Sequence, residues 1–225
     1  MRLFAPNDGL DSMRGDVRQT RAMLRASKIH LSLAKPIDRI LDRWDALDAL
    51  QRATSDAVTD ANALVAWLDL SLDGATRRLV GQLLADTGNN RDHRMFAAFF
   101  PEAPGETIRQ ALESQLDASR HFAAAAEEVG ASKAVLAVLK EIAGIDAEGR
   151  AALKAREEAV LAAARASLKV ATWRDDANAV RRGVETALDD HANKSGLNRD
   201  YASRFFPAAR ATAKKPEAPP APPVT

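Results

Sequence analysis

The chain contains no cysteine, which rules out disulfides, thiolate metal sites and thiol chemistry. Glycine is scarce, at 11 of 225 residues. No Gly-x-Gly-x-x-Gly, Gly-x-x-x-x-Gly-Lys-Ser/Thr or Gly-x-Ser-x-Gly run occurs, so phosphate-cradling loops and a nucleophile elbow are not expected. Aromatic residues make up only 5% and strings of β-branched residues are missing, which argues against sheet. No charge of one sign dominates: 32 Lys and Arg face 31 Asp and Glu, for a net charge of +1. The molecule therefore has no global field to draw it to nucleic acid or to a membrane. The longest apolar run, Ala134 to Leu139, is too short to span a bilayer, and no transmembrane segment is expected. Met1 to Asp8 lacks the charged and apolar regions of a secretory leader. Together with the missing cysteines, this predicts a cytoplasmic protein.

What is present is alanine, the commonest residue, with Leu, Arg, Asp and Glu. Such side chains lose little freedom in a helix, so the composition predicts an all-α fold. Helical spacing runs from about Asp11 to Leu33, and Pro36 with Asp38 predicts a boundary and a cap. The pattern resumes from Ile37 and stops at the turn Gly88-Asn89-Asn90. A short segment then ends in Phe-Phe-Pro. Pro104-Gly105 predicts a new helix to about Val129, with Gly130 as its C′ residue. A shorter helix, Ser132 to Ile142, precedes a long pattern from Asp146, with a break expected near Trp173 to Asn178.

The same marks recur in the same order. Ala26-Ser27-Lys28 matches Ala131-Ser132-Lys133, and Ile37-Asp38 matches Ile145-Asp146. Asn90-Arg91-Asp92 matches Asn198-Arg199-Asp200, and Phe99-Phe100-Pro101 matches Phe205-Phe206-Pro207. Trp67 and Trp173 are 106 positions apart, as are the two Phe-Phe-Pro runs. This order predicts a tandem duplication of a bundle of about four helices, with one unit over 1–103 and a second over 104–207. Residues 208–225, rich in Pro and Ala, are expected to form a disordered, flexible tail.

The recurring residues read as structural. The Phe pairs are expected to plug bundle ends, with Pro101 and Pro207 stopping the chain. Arg91-Asp92 and Arg199-Asp200 are expected to cap and pair, because no nucleophile or acid–base partner recurs beside them. The four histidines, His30, His93, His121 and His191, are expected at the solvated surface. Asp117 and His121 share a helix face, but Glu-x-x-His and His-Glu-x-x-His spacings are absent, so no metal or cofactor is expected.

One charge feature stands out. Arg14, Arg18, Arg21, Arg25 and Lys28 step by four, three, four and three, which places them on one stripe of the first helix. Over Met1 to Lys35, seven basic residues face three acidic ones. The corresponding helix of the second half is instead rich in Glu and Asp. The stripe is the candidate interaction surface. The sequence thus predicts a non-enzymatic structural or assembly subunit that self-associates through helix faces, with a homo-oligomer or another protein as partner. The alternative is a protein that binds nucleic acid or another anionic surface through the basic helix. Without interleaved base-reading side chains, such binding would be non-specific.

Overall fold

A computed structural model describes residues 1–207; the proposed tail, 208–225, lies outside the described residues. The described chain is all-helical, without strands. The α-helices are α1 (Leu10–Ala26), α2 (Leu31–Asp42), α3 (Trp44–Asp86), α4 (Arg94–Phe99), α5 (Pro104–Ile108), α6 (Leu112–Ala118), α7 (Phe122–Val129) and α8 (Lys133–Lys194). Two 3₁₀ turns, Ser119–His121 and Ala202–Phe205, complete the set. Among the described residues no helix is long and apolar enough to cross a membrane.

Several boundaries differ from the sequence expectation. Pro36 lies inside α2, and the chain breaks instead at Ser27–His30 and at Arg43. Asp38 caps nothing there; it faces α1 and pairs with Arg21 and Arg25. The stretch from Pro104 to Val129 is split into three short helices and a 3₁₀ turn. Conversely, α8 is one helix of 62 residues, without the breaks expected near Ile142–Asp146 and Trp173–Asn178. Gly149, inside α8, carries a close approach: a Cβ there would lie 2.9 Å from a methyl group of Leu116. Gly130 ends α7 in the left-handed region, φ 65°, as its C′ position requires.

The chain packs as two units. One comprises Met1–Ala49 and the chain from Ser167 onward, and the other is Leu50–Ala166. These units do not coincide with the sequence halves 1–103 and 104–207. The division falls within α3 and within α8, so each unit takes helices from both halves.

In the discontinuous unit, Met13, Val17 and Leu24 of α1 and Ala34, Ile37 and Ile40 of α2 pack with Trp44. Against them lie Trp173, Ala177, Val184 and Leu188 of α8, and Ala202, Phe205 and Phe206 of the last turn. In the continuous unit, Leu68, Leu72, Leu79 and Leu83 of α3 pack with Leu116, Phe122 and Ala126, with Val135, Ile142 and Ala152 of α8, and with the α4 rings Phe96 and Phe99 and the adjacent Phe100. Each core thus has a helical hairpin, one long helix segment and a short aromatic cap.

The buried positions recur at fixed spacing. Trp173, Ala177, Arg181, Val184 and Leu188 of α8 each lie 105 positions after Leu68, Leu72, Thr76, Leu79 and Leu83 of α3, and all ten are buried. In the hairpins, Val17 and Phe122, His30 and Val135, and Ile37 and Ile142 are also 105 apart and buried. Ile37 therefore corresponds in packing to Ile142, not to Ile145.

Candidate functional site

Local hydrogen bonds explain the repeated marks. The hydroxyl oxygens of Ser27 and Ser132 each accept the N–H three residues on, of His30 and Val135, both at 3.3 Å. The side-chain oxygens of Asn90 and Asn198 accept the N–H of Asp92 and Asp200, at 3.0 and 3.2 Å. Short polar side chains that mimic a backbone acceptor in this way fix the turn that follows. Arg91, Asp92, Arg199 and Asp200 are themselves exposed. Phe99, Phe100, Phe205 and Phe206 are buried, and the prolines behind them are not.

The tryptophan mark behaves differently. Trp173 is fully buried and its ring N–H donates to the Ile40 carbonyl at 2.9 Å. Trp67 is 66% exposed, and Leu68 fills the core position that corresponds to Trp173. The shared 106 spacing is therefore not a packing equivalence. On α3, Leu64 and Leu70 are exposed beside Trp67. Residues at this spacing cover about a third of the helix circumference, turned about 100° from the buried Leu68 stripe. The signal was present in the sequence as a second apolar stripe on α3, hidden by treating Trp67 only as a match for Trp173.

The basic stripe is largely engaged within its own unit. Arg14 pairs with Asp45 at 3.0 Å and lies 3.9 Å over the Trp44 ring. Arg21 and Arg25 converge on Asp38 at 3.5 and 3.0 Å. Arg14 and Arg21 are half-buried, while Arg18, Arg25 and Lys28 are exposed. Arg14, Arg18 and Arg21 line a cavity of about 200 Å³ with Leu41, Asp42 and Asp45. Most of the stripe thus locks α1 onto α2 and the start of α3, and Arg18 and Lys28 are left as its outward charge.

Asp117 and His121 line a cavity of about 270 Å³ with Phe99, Phe100 and Arg120. One ring nitrogen of His121 and one carboxylate oxygen of Asp117 are already engaged. A ring nitrogen of His121 bonds the Phe99 carbonyl at 2.8 Å, while Asp117 pairs with Arg120 at 3.3 Å and Arg150 at 3.2 Å. His93 accepts the Met95 N–H as the cap of α4.

Buried polar groups are unequal in the two cores. Gln115 is buried beside Asp69 and Asp73, its amide nitrogen 3.0 Å from Asp73 and 2.9 Å from the Gln110 carbonyl. Burial, and then the charge of Asp73, push the Asp69 carboxyl above its ordinary range. In the other unit Arg181 is buried, with Nε and Nη1 unpartnered, and lies 4.2 Å over the Phe4 ring. Burial lowers its pKa, partly opposed by Asp16 and Glu185. Asn178 holds Phe4 in place through both backbone groups, at 2.8 and 3.0 Å. His30, expected at the surface, is 5% exposed. Comparison with protein-family models, with curated proteins and with solved structures finds no match, so function has to be argued from these residues alone.

Proposed function

We propose that the chain is a non-enzymatic assembly subunit that self-associates through an exposed helix face, with a second copy as partner. The observation that carries this reading is the exposure of Leu64, Trp67 and Leu70 together on α3, at 48%, 66% and 66%. A tryptophan left in water beside two leucines forgoes a large burial energy that an interface would recover. The engaged state of His121 and Asp117 supports a structural rather than a catalytic role. Missing cysteines fit a cytoplasmic setting. We also infer that the two halves descend from one duplicated helical unit. Support comes from the matched serine caps, the matched asparagine turns and the burial pattern repeated at 105 positions.

The runner-up reading, an anionic-surface binder, rests on exposed Arg18, Arg25 and Lys28, and is weakened by the pairs that Arg14, Arg21 and Arg25 already make. One experiment separates the two. Molar mass in solution should exceed that of one chain and fall to it in Trp67→Glu, with helical content unchanged. A wild type that is monomeric at all concentrations overturns the assembly reading. If that monomer is also held on heparin in a salt-dependent way lost in Arg18→Glu, the runner-up replaces it.

A further inference from the structure

His30 lies in the turn between α1 and α2, where its ring meets three others. The His191 ring is 4.7 Å away edge-on, Phe205 is 5.4 Å and Tyr201 is 5.9 Å. The Nε2 atom of His30 lies 3.0 Å from the Tyr201 hydroxyl. Two imidazoles therefore face each other where the α1–α2 turn, the end of α8 and the turn Ala202–Phe205 meet. Around them, α8 contributes exposed Asp190 and Lys194, and the last turn contributes exposed Asp200 and Arg204. Lys28 and Lys35, on the flanking segments of the hairpin, are also exposed. Among the described residues no carboxylate lies within ion-pairing distance of either imidazole.

We propose that this cluster is an acid-sensitive latch: protonation of His30, packed edge-on against His191, releases the turn Ala202–Phe205, with its Phe205-Phe206 cap, from the α1–α2 hairpin. The physical argument is direct. A neutral His30 is satisfied by one hydrogen bond to Tyr201 and by aromatic edges. A charged one is buried without a counter-ion and with a second imidazole at ring distance. Releasing the turn returns both rings to water.

Burial and the neighbouring His191 lower the pKa of His30. The folded state therefore binds its proton less readily than the open state. Closure is full at neutral pH and is lost as pH falls below the ordinary histidine value of about 6.5. The opening equilibrium should rise by up to about tenfold per pH unit for the one proton that His30 takes up.

The other unit provides an internal control. Val135, fully buried, stands where His30 stands, each donating its backbone N–H to the hydroxyl oxygen of the serine three residues earlier. Phe99 corresponds to Phe205, and the histidine at its cap, His121, bonds the Phe99 carbonyl instead of facing a second imidazole, so this cap should not open in acid.

Tyr201 is the chain's single tyrosine and His30 one of four histidines, so ring-selective ¹³C labelling of the full chain reports the latch directly. Between pH 7.5 and 5, the Tyr201 signal should move to an exposed position in step with His30. Amide protection around Ala202–Phe206, corrected for intrinsic exchange, should fall while that of Arg94–Phe100 is kept. His30→Val should remove the response. His191→Gln should shift it to lower pH, because one repulsion is gone. A Tyr201 signal unchanged to pH 5, a response that persists in His30→Val, or an unmoved midpoint in His191→Gln each overturns the latch.

Discussion

The continuous and discontinuous units bury the same positions with different chemistry. At places 105 apart, one core has Leu68, Thr76, Val135 and Gly149 where the other has Trp173, Arg181, His30 and Trp44. The first solution is lean: Leu116 packs directly against Gly149. The second is bulky and polar. Trp44 donates to the Leu10 carbonyl at 3.4 Å, Trp173 to that of Ile40, and a guanidinium is held by aromatic faces. A helical hairpin closed by a helix and an aromatic cap is evidently set by the burial pattern, and the side chains that fill it are negotiable. The bulky core buries His30 and Arg181 where the lean core has Val135 and Thr76, while the lean core holds Asp69, whose carboxyl is pushed above its ordinary range, beside Gln115.

The aromatic caps test this equivalence with the largest effect. Phe99→Ala and Phe205→Ala should each cost about 3–5 kcal/mol in chemical unfolding, as truncation of buried Phe does. Losses that differ widely would mean that the two caps are alike in sequence but not in packing. Arg181 sharpens the contrast. Its Nε and Nη1 groups are buried without partners, so Arg181→Met should leave stability unchanged or raise it by about 1–4 kcal/mol in the same assay. A clear loss would show that the Phe4 ring and the nearby carboxylates outweigh the desolvation. The smallest effect belongs to the serine caps. Ser27→Ala and Ser132→Ala should each cost about 0.5–2 kcal/mol. Ser132 should lie at the upper end, because its hydroxyl donates to the charged Asp86 carboxylate at 2.6 Å, where that of Ser27 donates to the neutral Leu24 carbonyl at 2.7 Å.

The helical class was legible because alanine and the apolar spacing agree. The serine, asparagine and phenylalanine marks were legible because each performs the same local task twice. Pairing between distant segments was not. Nothing in the spacing of Val17 or Leu24 says that their core partners lie beyond residue 167, since periodicity records which face is apolar and not what covers it. Pro36 misled because a proline inside a helix was read as a helix end, while the true break at Arg43 has no glycine or proline to announce it. Trp67 misled because spacing in sequence was taken for equivalence in packing. His30 was read as solvated because its burial depends on Tyr201 and His191, which are remote in the chain. For the basic stripe the sequence showed the arginines but not that Asp38 and Asp45 would meet them.

The split of one unit into two segments also dictates an order of events during synthesis. The α1–α2 hairpin leaves the ribosome well before Trp173, Val184, Leu188 and Phe205, which complete its core. Until then Met13, Val17, Leu24 and Ile37 can bury only against one another and their hairpin neighbours. The intervening Leu50–Ala166 is contiguous and can collapse as soon as it emerges. Its prior folding shortens the effective loop that must close to bring the two ends together, and so lowers the entropy of that closure. A long-lived, half-finished hairpin is the cost of this topology, and it makes the nascent N-terminal segment the part of the chain most exposed to misassembly.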